Sequence, residues 1–494
     1  MVETFCEELL ENKNVRSNLI AIKQQIKDNE EELEIVEKWE AEHGKLIEFL
    51  QHEDAKARKN AALLLGEIES SNGLDELWAA YSREQTLFVK SSYLLAMEKM
   101  NCGRYFEQFK EAYQHLCAMD IREDEKKHFQ EEIKVLERIL RILEGRKKHS
   151  FAGYDHEVEV LLITNSKYRE VTASQIKRGR TTLVPAGVKV VTSDIRELLS
   201  IRTFRELLFL FDVSRHIVPD PEQIADEISK SDLLTLLGEL HKSPAPFYFR
   251  LNVRNQMEER NRGAFIRKIA AAIEEKSGRM LINSADNYEI ELRLNANKDG
   301  TLFPCIKLYT LPMKRFAYRK NAIAASIQPS TAALLMKLAQ PYLKENAQVL
   351  DPFCGVGTML IERDFLVPAG DMYGTDTFGE AILKGRENAD AAGMDIHFIN
   401  RNLFDFKHKY LFDEIVTNMP VRVSNFKEEQ DQLYARFFEK ASQLLKRDAI
   451  IIMYTNESGF VKKQLRLRED FSLKDEYCIR EKSGYYLFII RFKG

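Results

Sequence analysis

The residues best arranged for chemistry lie in three short stretches of the last third of the chain. The first is Asp351-Pro-Phe-Cys-Gly355-Val-Gly357-Thr358. A short apolar strand, Gln348 to Leu350, runs into Asp351, and a Gly-x-Gly turn follows. The spacing of Met359, Leu360 and Phe365 then predicts a helix. Strand, glycine turn and helix start make a ligand-binding corner. Glycines let the backbone approach a ligand closely, and the helix N-terminus offers free N–H groups. The second is Asp376, which ends the next predicted strand 19 residues after Gly357. An acid at that distance accepts from ribose hydroxyls in a nucleotide-type fold. The third is Phe412-Asp-Glu-Ile-Val-Thr-Asn418-Met-Pro420, a strand ending in Asn-x-Pro. Alone, Gly-x-Gly is an ordinary βα turn and Asn-x-Pro an ordinary strand end. Their order along one alternating segment is the informative feature.

The elements that must position these residues follow from the pattern after residue 345. Strands are predicted at 348–350, 372–376, 396–399, 413–417, 449–454, 473–479 and 485–492, with helices between them. Such alternation predicts an open, mainly parallel sheet whose ligand sits beyond the C-terminal strand ends. Arg480-Glu-Lys-Ser-Gly484 is too short for a parallel crossover, so the last two strands are expected to be antiparallel.

These residues resemble a known family. Asp351 to Thr358 is similar to the first motif of S-adenosylmethionine-dependent methyltransferases, and Asn418-Met-Pro-Val421 to their Asn-Pro-Pro-Tyr-type catalytic motif. The nearest resemblance is to the THUMP-domain guanine-N2 RNA methyltransferases, over roughly residues 155–494. It implies a Rossmann-like, seven-stranded methyltransferase domain at 345–494 and S-adenosylmethionine as cofactor. It implies donor contacts from Gln328, Pro329, Asp351, Phe353, Cys354, Gly355, Gly357, Thr358, Asp376, Thr377, Asn402, Leu403 and Asn418. Asp351 can accept from the donor's amino group or orient the glycine loop, and Thr358 is expected to cap the helix. Which of Asn402 and Asp405 meets the adenine edge stays open. Asn418 and Pro420 are the implied catalytic pair. The amide oxygen and the carbonyl before Pro420 would hold both N–H groups of a guanine N2 amine and aim its lone pair at the methyl group. The family has an aromatic after the proline, where this chain has Val421. Arg422 or Phe426 could take over the stacking.

Residues 312–344 read as linker and approach segment. Pro312-Met-Lys-Arg315-Phe-Ala-Tyr318-Arg319 is similar to the family's Lys-Arg-x-x-Tyr-Arg, and Ser326-Ile-Gln328-Pro329-Ser-Thr-Ala332 to the helix start over the donor. Residues 155–311 alternate strand and helix. They resemble a ferredoxin-like unit followed by a THUMP-like RNA-binding domain, with Leu281-Ile-Asn-Ser-Ala-Asp286 lacking the family's proline. RNA contacts are implied for Arg262, Arg267, Lys268, Arg315, Arg319 and Arg422, and also for Lys276 and Arg279. Residues 1–149 are helical by periodicity. Two related units, Lys45 to Ile68 and Glu76 to Met100, resemble HEAT repeats, which implies a partner or RNA surface or simply a packed helical domain.

Composition bounds these readings. Three domains suit 494 residues. The net charge of −4 divides into −8 over 1–149, +7 over 150–344 and −3 over 345–494, which places any polyanion contact in the middle. The six cysteines are scattered without a Cys-x-x-Cys pair, so neither a metal site nor a disulfide framework is expected. No apolar run suits a membrane helix, and the acidic N-terminus lacks the order of a signal peptide, so a cytoplasmic protein is expected. The leading expectation is an RNA methyltransferase forming N2-methylguanosine in tRNA or rRNA. The alternatives are an RNA-binding module that keeps the fold without turnover, and an enzyme for DNA adenine or a protein amide. A protein partner for the helical domain is possible on this reading, and the oligomeric state stays open.

Overall fold

The computed structural model describes residues 2–27, 29–70, 72–119, 122, 125–144, 149–254, 259–421 and 427–494. Two compact units divide the chain. One holds Met1–Ser150, Asp212–Gly238 and Ser243–Pro304; the other holds Phe151–Phe211, Glu239–Lys242 and Cys305–Gly494.

The first unit begins with a run of helices from Val2–Leu10 to Lys126–Glu144. Helices Ala55–Glu67 and Leu87–Glu98 touch backbone to backbone at Gly66, where a Cβ would lie 2.6 Å from the Ala96 Cα. Arg58 clasps the Glu84 carboxylate at 2.8 and 2.9 Å, and the Tyr93 hydroxyl donates to it at 3.0 Å. The same unit contains strand Phe247–Arg254, flanked by parallel Leu281–Asn283 and Ile290–Ala296. Helix Glu259–Lys276 packs on that strand and on helix Pro221–Lys230.

The second unit opens with four antiparallel strands in the order Arg180–Val184, Gly187–Thr192, Val158–Ile163, Glu206–Leu210. Its larger part is a seven-stranded sheet: β1 (Val349–Asp351), β2 (Met372–Asp376), β3 (His397–Asn400), β4 (Phe412–Asn418), β5 (Leu445–Thr455), β6 (Phe471–Arg480) and β7 (Tyr485–Phe492). The spatial order is β3-β2-β1-β4-β5-β7-β6. The first five strands are parallel, and β7 runs antiparallel to both β5 and β6, as the short 480–484 connection required. Helices α1 (Pro329–Ala339), α2 (Thr358–Leu366) and α3 (Gly379–Ala392) belong to one layer, and α4 (Lys427–Leu444) and α5 (Ser458–Leu467) to the other.

Strand alternation builds both cores at once. Val349, Val416, Ile450 and Ile452 face the α1–α3 layer, where Leu335, Leu360 and Ile382 meet them. Leu350, Ile415, Ile451 and Met453 face the other layer, against Tyr434, Phe437 and Val461. Strands covered on both faces therefore read as unbroken apolar runs.

One ion pair lies inside this packing. Arg363 of α2 and Glu414 of β4 are both fully buried and meet at 2.9 Å. The guanidinium also donates to the Val367 and Lys344 carbonyls, so each of its three nitrogens has an acceptor. Removing one partner leaves a buried charge unpaired. Arg363→Leu is expected to destabilise the second unit by about 3–5 kcal/mol in urea denaturation. The Arg363→Leu, Glu414→Leu double variant should lose less than the single.

Candidate active site

At the C-terminal edge of the parallel strands lies a cavity of about 380 Å³. Its walls come from Ile323 and Ala325 to Ile327, Asp351 to Val356 with Thr358 and Met359, Asp376 with Thr377, Arg401 to Phe404, and Asn418 to Val421 with Leu433.

The glycine loop is fixed from several sides. The Cys354 N–H donates to the Thr375 carbonyl at 3.0 Å, and the Gly357 N–H to the Cys354 carbonyl at 2.8 Å. Gly357 has φ +79°, and a Cβ there would stand 2.7 Å from the Phe398 ring. Both the left-handed backbone and the close ring exclude a side chain. Gly355 is also left-handed, at φ +51°. Buried Asn388 of α3 donates to the carbonyls of Val356, at 3.2 Å, and Asn321, at 3.0 Å, and accepts from the Asn321 N–H at 2.9 Å. One amide thus ties the loop to the approach segment.

Two carboxylates flank the loop. Asp376 accepts from the Gly355 N–H and from the Phe378 N–H, each at 2.9 Å. Each oxygen retains a lone pair for a further donor such as a ribose hydroxyl. Asp351 is buried and accepts from the Phe353 N–H at 3.1 Å. Burial pushes its carboxyl up to about 8, and the neighbouring Asp376 charge adds to the rise.

Asn418 ends β4 on the cavity wall, and its Nδ2 faces the Ala325 carbonyl at 3.5 Å. The Met419 N–H donates to the Tyr454 carbonyl at 2.9 Å, and the Pro420 carbonyl accepts from Gln430 at 3.3 Å. The Asn-Met-Pro turn is thereby held at both ends. Val421 lines the mouth and is 47% exposed, which presents an apolar surface there.

Of the residues expected at a donor site, Asp351, Phe353, Cys354, Gly355, Thr358, Asp376, Thr377, Asn402, Leu403, Asn418 and Pro420 line the cavity. Gly357 sits behind the loop, on Phe398. Gln328 and Pro329 stand outside the wall; residues 323 and 325–327 line it in their place. Thr358 does not cap α2. Gly357 is the N-cap, so the Thr358 side chain starts one residue too late to reach back, and its buried hydroxyl has no hydrogen-bond partner among the described residues. Asn402 is on the wall and Asp405 is not; the Asn402 oxygen accepts from the Phe404 N–H at 3.0 Å. Arg401, Phe404 and Leu433 line the cavity although sequence reasoning did not single them out. Arg401 and Phe404 bracket Asn402 and Leu403 and could have been found as neighbours, whereas nothing local marks Leu433.

The basic residues fall into different places. Arg315 is committed internally: its guanidinium lies 3.4 Å from the Phe204 ring centroid and donates to the Ile201 and Arg205 carbonyls at 2.9 and 3.0 Å. Burial, with Arg202 nearby, pulls it down to about 9. A guanidinium so engaged has little left for a phosphate. Arg319 is half-buried and donates to Gln328 at 3.3 Å. Arg262, Arg267 and Lys268 are half-buried on helix Glu259–Lys276 of the first unit. There Lys276 pairs with Asp226 at 2.6 Å and buried Arg279 with Glu274 at 2.8 Å, so both answer carboxylates of their own unit. Arg422 and Phe426 lie outside the described residues.

The cavity suits a donor of S-adenosylmethionine type. The fit rests on the orphaned Thr358 hydroxyl, the spare acceptors of Asp376 and the start of α2. The comparisons agree. Residues 317–480 match the family model described as "RMKL-like, methyltransferase domain". A tRNA (guanine(10)-N2)-dimethyltransferase from Methanothermobacter thermautotrophicus is 27% identical over 158 residues, which is 31% of this chain and 45% of that protein. The chain thus spans less than half the length of that curated relative. TrmN from Thermus thermophilus is similar in structure, with TM-score 0.50 and 18% identity over 69% of this chain and all of that one. SMU.472, solved in complex with SAH, gives TM-score 0.52 and 15% identity over 68% of this chain and 98% of that one. This likeness shows a methyltransferase fold, and S-adenosylmethionine is the cofactor that fold implies.

Asp351 links pH to stability. Unfolded, its carboxyl ionises near 3.8; folded, it holds its proton up to about 8. Its contribution is therefore fully present below the lower value and is lost as pH rises through the upper one. Ligand-free Asp351→Asn should show a flatter decline in melting temperature from about pH 4 to about pH 8 than the wild type. A parallel decline would show that this carboxyl titrates normally.

Proposed function

We propose that this chain is an S-adenosylmethionine-dependent RNA methyltransferase that forms N2-methylguanosine in tRNA or rRNA. The observation that carries the reading is Asn418 on the wall of the cavity that the glycine loop also lines. The matched relative's activity on a guanine N2 of tRNA supports it.

When bound, S-adenosylmethionine supplies a methyl group on a positively charged sulfur. The chain's residues do the rest by positioning. The Asn418 amide oxygen and the Met419 carbonyl accept the two N–H bonds of the guanine amine. That orientation turns the nitrogen lone pair toward the donor, and alignment of this kind is a large part of a transfer barrier. Asp376 would hold the ribose hydroxyls, and Asn402 with Leu403 would border the adenine. A strong base would be unnecessary: as the N–C bond formed and the sulfur–methyl bond broke, the nitrogen would become acidic and lose one N–H proton to solvent. The target base must leave its stack, at a cost of about a few kcal/mol. Val421 offers an apolar surface for the extruded base where an aromatic would add roughly 1–3 kcal/mol.

The remaining segments have roles in the same reading. Residues 155–311 act as a ferredoxin-like and THUMP-like RNA-binding region, with Arg262, Arg267 and Lys268 contacting the backbone. Residues 312–344 carry the approach segment and 345–494 the catalytic domain. Residues 1–149 form a HEAT-like module for a partner or RNA. The same reading takes the cytoplasm as the site of action. A second reading, RNA binding without turnover, draws its support from Val421.

Labelled donor incubated with bulk tRNA and rRNA should give N2-methylguanosine on nucleoside analysis. Asn418→Ala should slow this at least 100-fold while donor binding stays within about threefold. Label confined to protein or DNA would exclude the RNA reading, and an Asn418→Ala rate equal to wild type would exclude the catalytic role.

A further inference from the structure

A second, smaller cavity of about 150 Å³ lies where α1 begins. Arg205, Arg480, Ser330, Thr331 and Gln328 line it, and no carboxylate does. Both arginines are exposed, and neither side chain makes a hydrogen bond or ion pair among the described residues. The Ser330 and Thr331 hydroxyls likewise have no partner there. In another cleft of the same unit Arg178 meets the Asp194 carboxylate at 3.3 Å. Two uncompensated guanidiniums converging on one pocket with two free hydroxyls call for an anion.

The backbone that carries them is hydrogen-bonded on both sides. The Arg205 N–H donates to the Ile163 carbonyl at 2.7 Å, and its own carbonyl receives Arg315. On the other side, Asn165 donates to the Ile479 carbonyl at 2.8 Å, next to Arg480. The pocket also borders the proposed active site along the chain. Ile327 lines the donor cavity, and Gln328, the next residue, lines this one.

We propose that this pocket binds one backbone phosphate of the RNA substrate, beside the nucleotide presented to Asn418. The proposal rests on the RNA methyltransferase reading and adds to it a fixed anchor. The volume suits a phosphate group and is too small for a base with its ribose. Fork-shaped guanidinium donors match phosphate oxygens two at a time. Such a contact sets register and adds affinity without reading sequence.

The test measures binding of bulk tRNA and bulk rRNA to wild type, to the Arg205→Gln, Arg480→Gln double variant and to the Arg205→Lys, Arg480→Lys variant, at several salt concentrations. The double Gln variant should bind five- to twentyfold more weakly. Its slope of log affinity against log salt should fall by about 0.7–0.9, the value of one phosphate contact. The Lys variant should recover part of the affinity. S-adenosylhomocysteine binding and melting temperature should be unchanged in all three. Titrating inorganic phosphate should weaken RNA binding by the wild type more than sodium chloride of equal ionic strength does. A double Gln variant that keeps wild-type RNA affinity and salt slope overturns the pocket and leaves the methyltransferase reading standing. Wild-type protein that binds neither RNA overturns both. Weaker RNA binding together with no methyl transfer by the wild type keeps the pocket and rejects the enzyme.

Discussion

The ring of Phe398 is the surface against which the donor loop is set. Three glycines abut it. A Cβ would lie 2.7 Å away at Gly357 of the loop, 3.3 Å at Gly374 of β2 and 2.7 Å at Gly385 of α3. Loop, strand and helix can close on one another only because none carries a side chain there. The close fit places the start of α2 at the cavity and brings Asp376 within reach of the Gly355 N–H. Well-packed interiors do not yield easily to added volume, so the position of the loop is a consequence of that ring.

The approach segment is secured by charge as well as by packing. Glu362 of α2 is fully buried; it receives both arms of Arg202 at 2.8 Å and the Tyr318 hydroxyl at 2.7 Å. Arg202 lies over Phe365, and Arg315 over Phe204. A network of this kind, built on a buried and multiply hydrogen-bonded carboxylate, fixes geometry more than it adds stability. Here it holds residues 315–319 against the helix that follows the glycine loop. With Asn388 gripping Asn321, the segment reaches the cavity at 323–327 in one arrangement. The chemistry proposed for Asn418 depends on that arrangement, because its amide faces the Ala325 carbonyl.

Much of the C-terminal sheet domain was legible in the sequence. The sheet, its antiparallel end and the cavity positions of Asp351, Asp376 and Asn418 follow from alternation and from residues at strand ends, which are local signals. What was hidden depends on partners distant in sequence. Nothing around Arg315 shows that Phe204 and two carbonyls will absorb its guanidinium. Nothing around Asn388 or Phe398 marks them as supports of a loop thirty to forty residues earlier. Thr358 looked like a cap because Ser and Thr commonly are, but the left-handed Gly357 moved the helix start by one residue. Residues 212–238 and 243–304 group with the first 150, and such a grouping comes from packing, which no short window of sequence contains.

The central claim is that the cavity beneath the glycine loop is a working donor site. Calorimetric titration of S-adenosylmethionine into the wild-type chain and into Asp376→Ala tests it most directly. The account predicts one-to-one binding by the wild type and an affinity at least tenfold lower for the variant. A wild-type chain that takes up no donor, or a variant that binds it equally well, would contradict it.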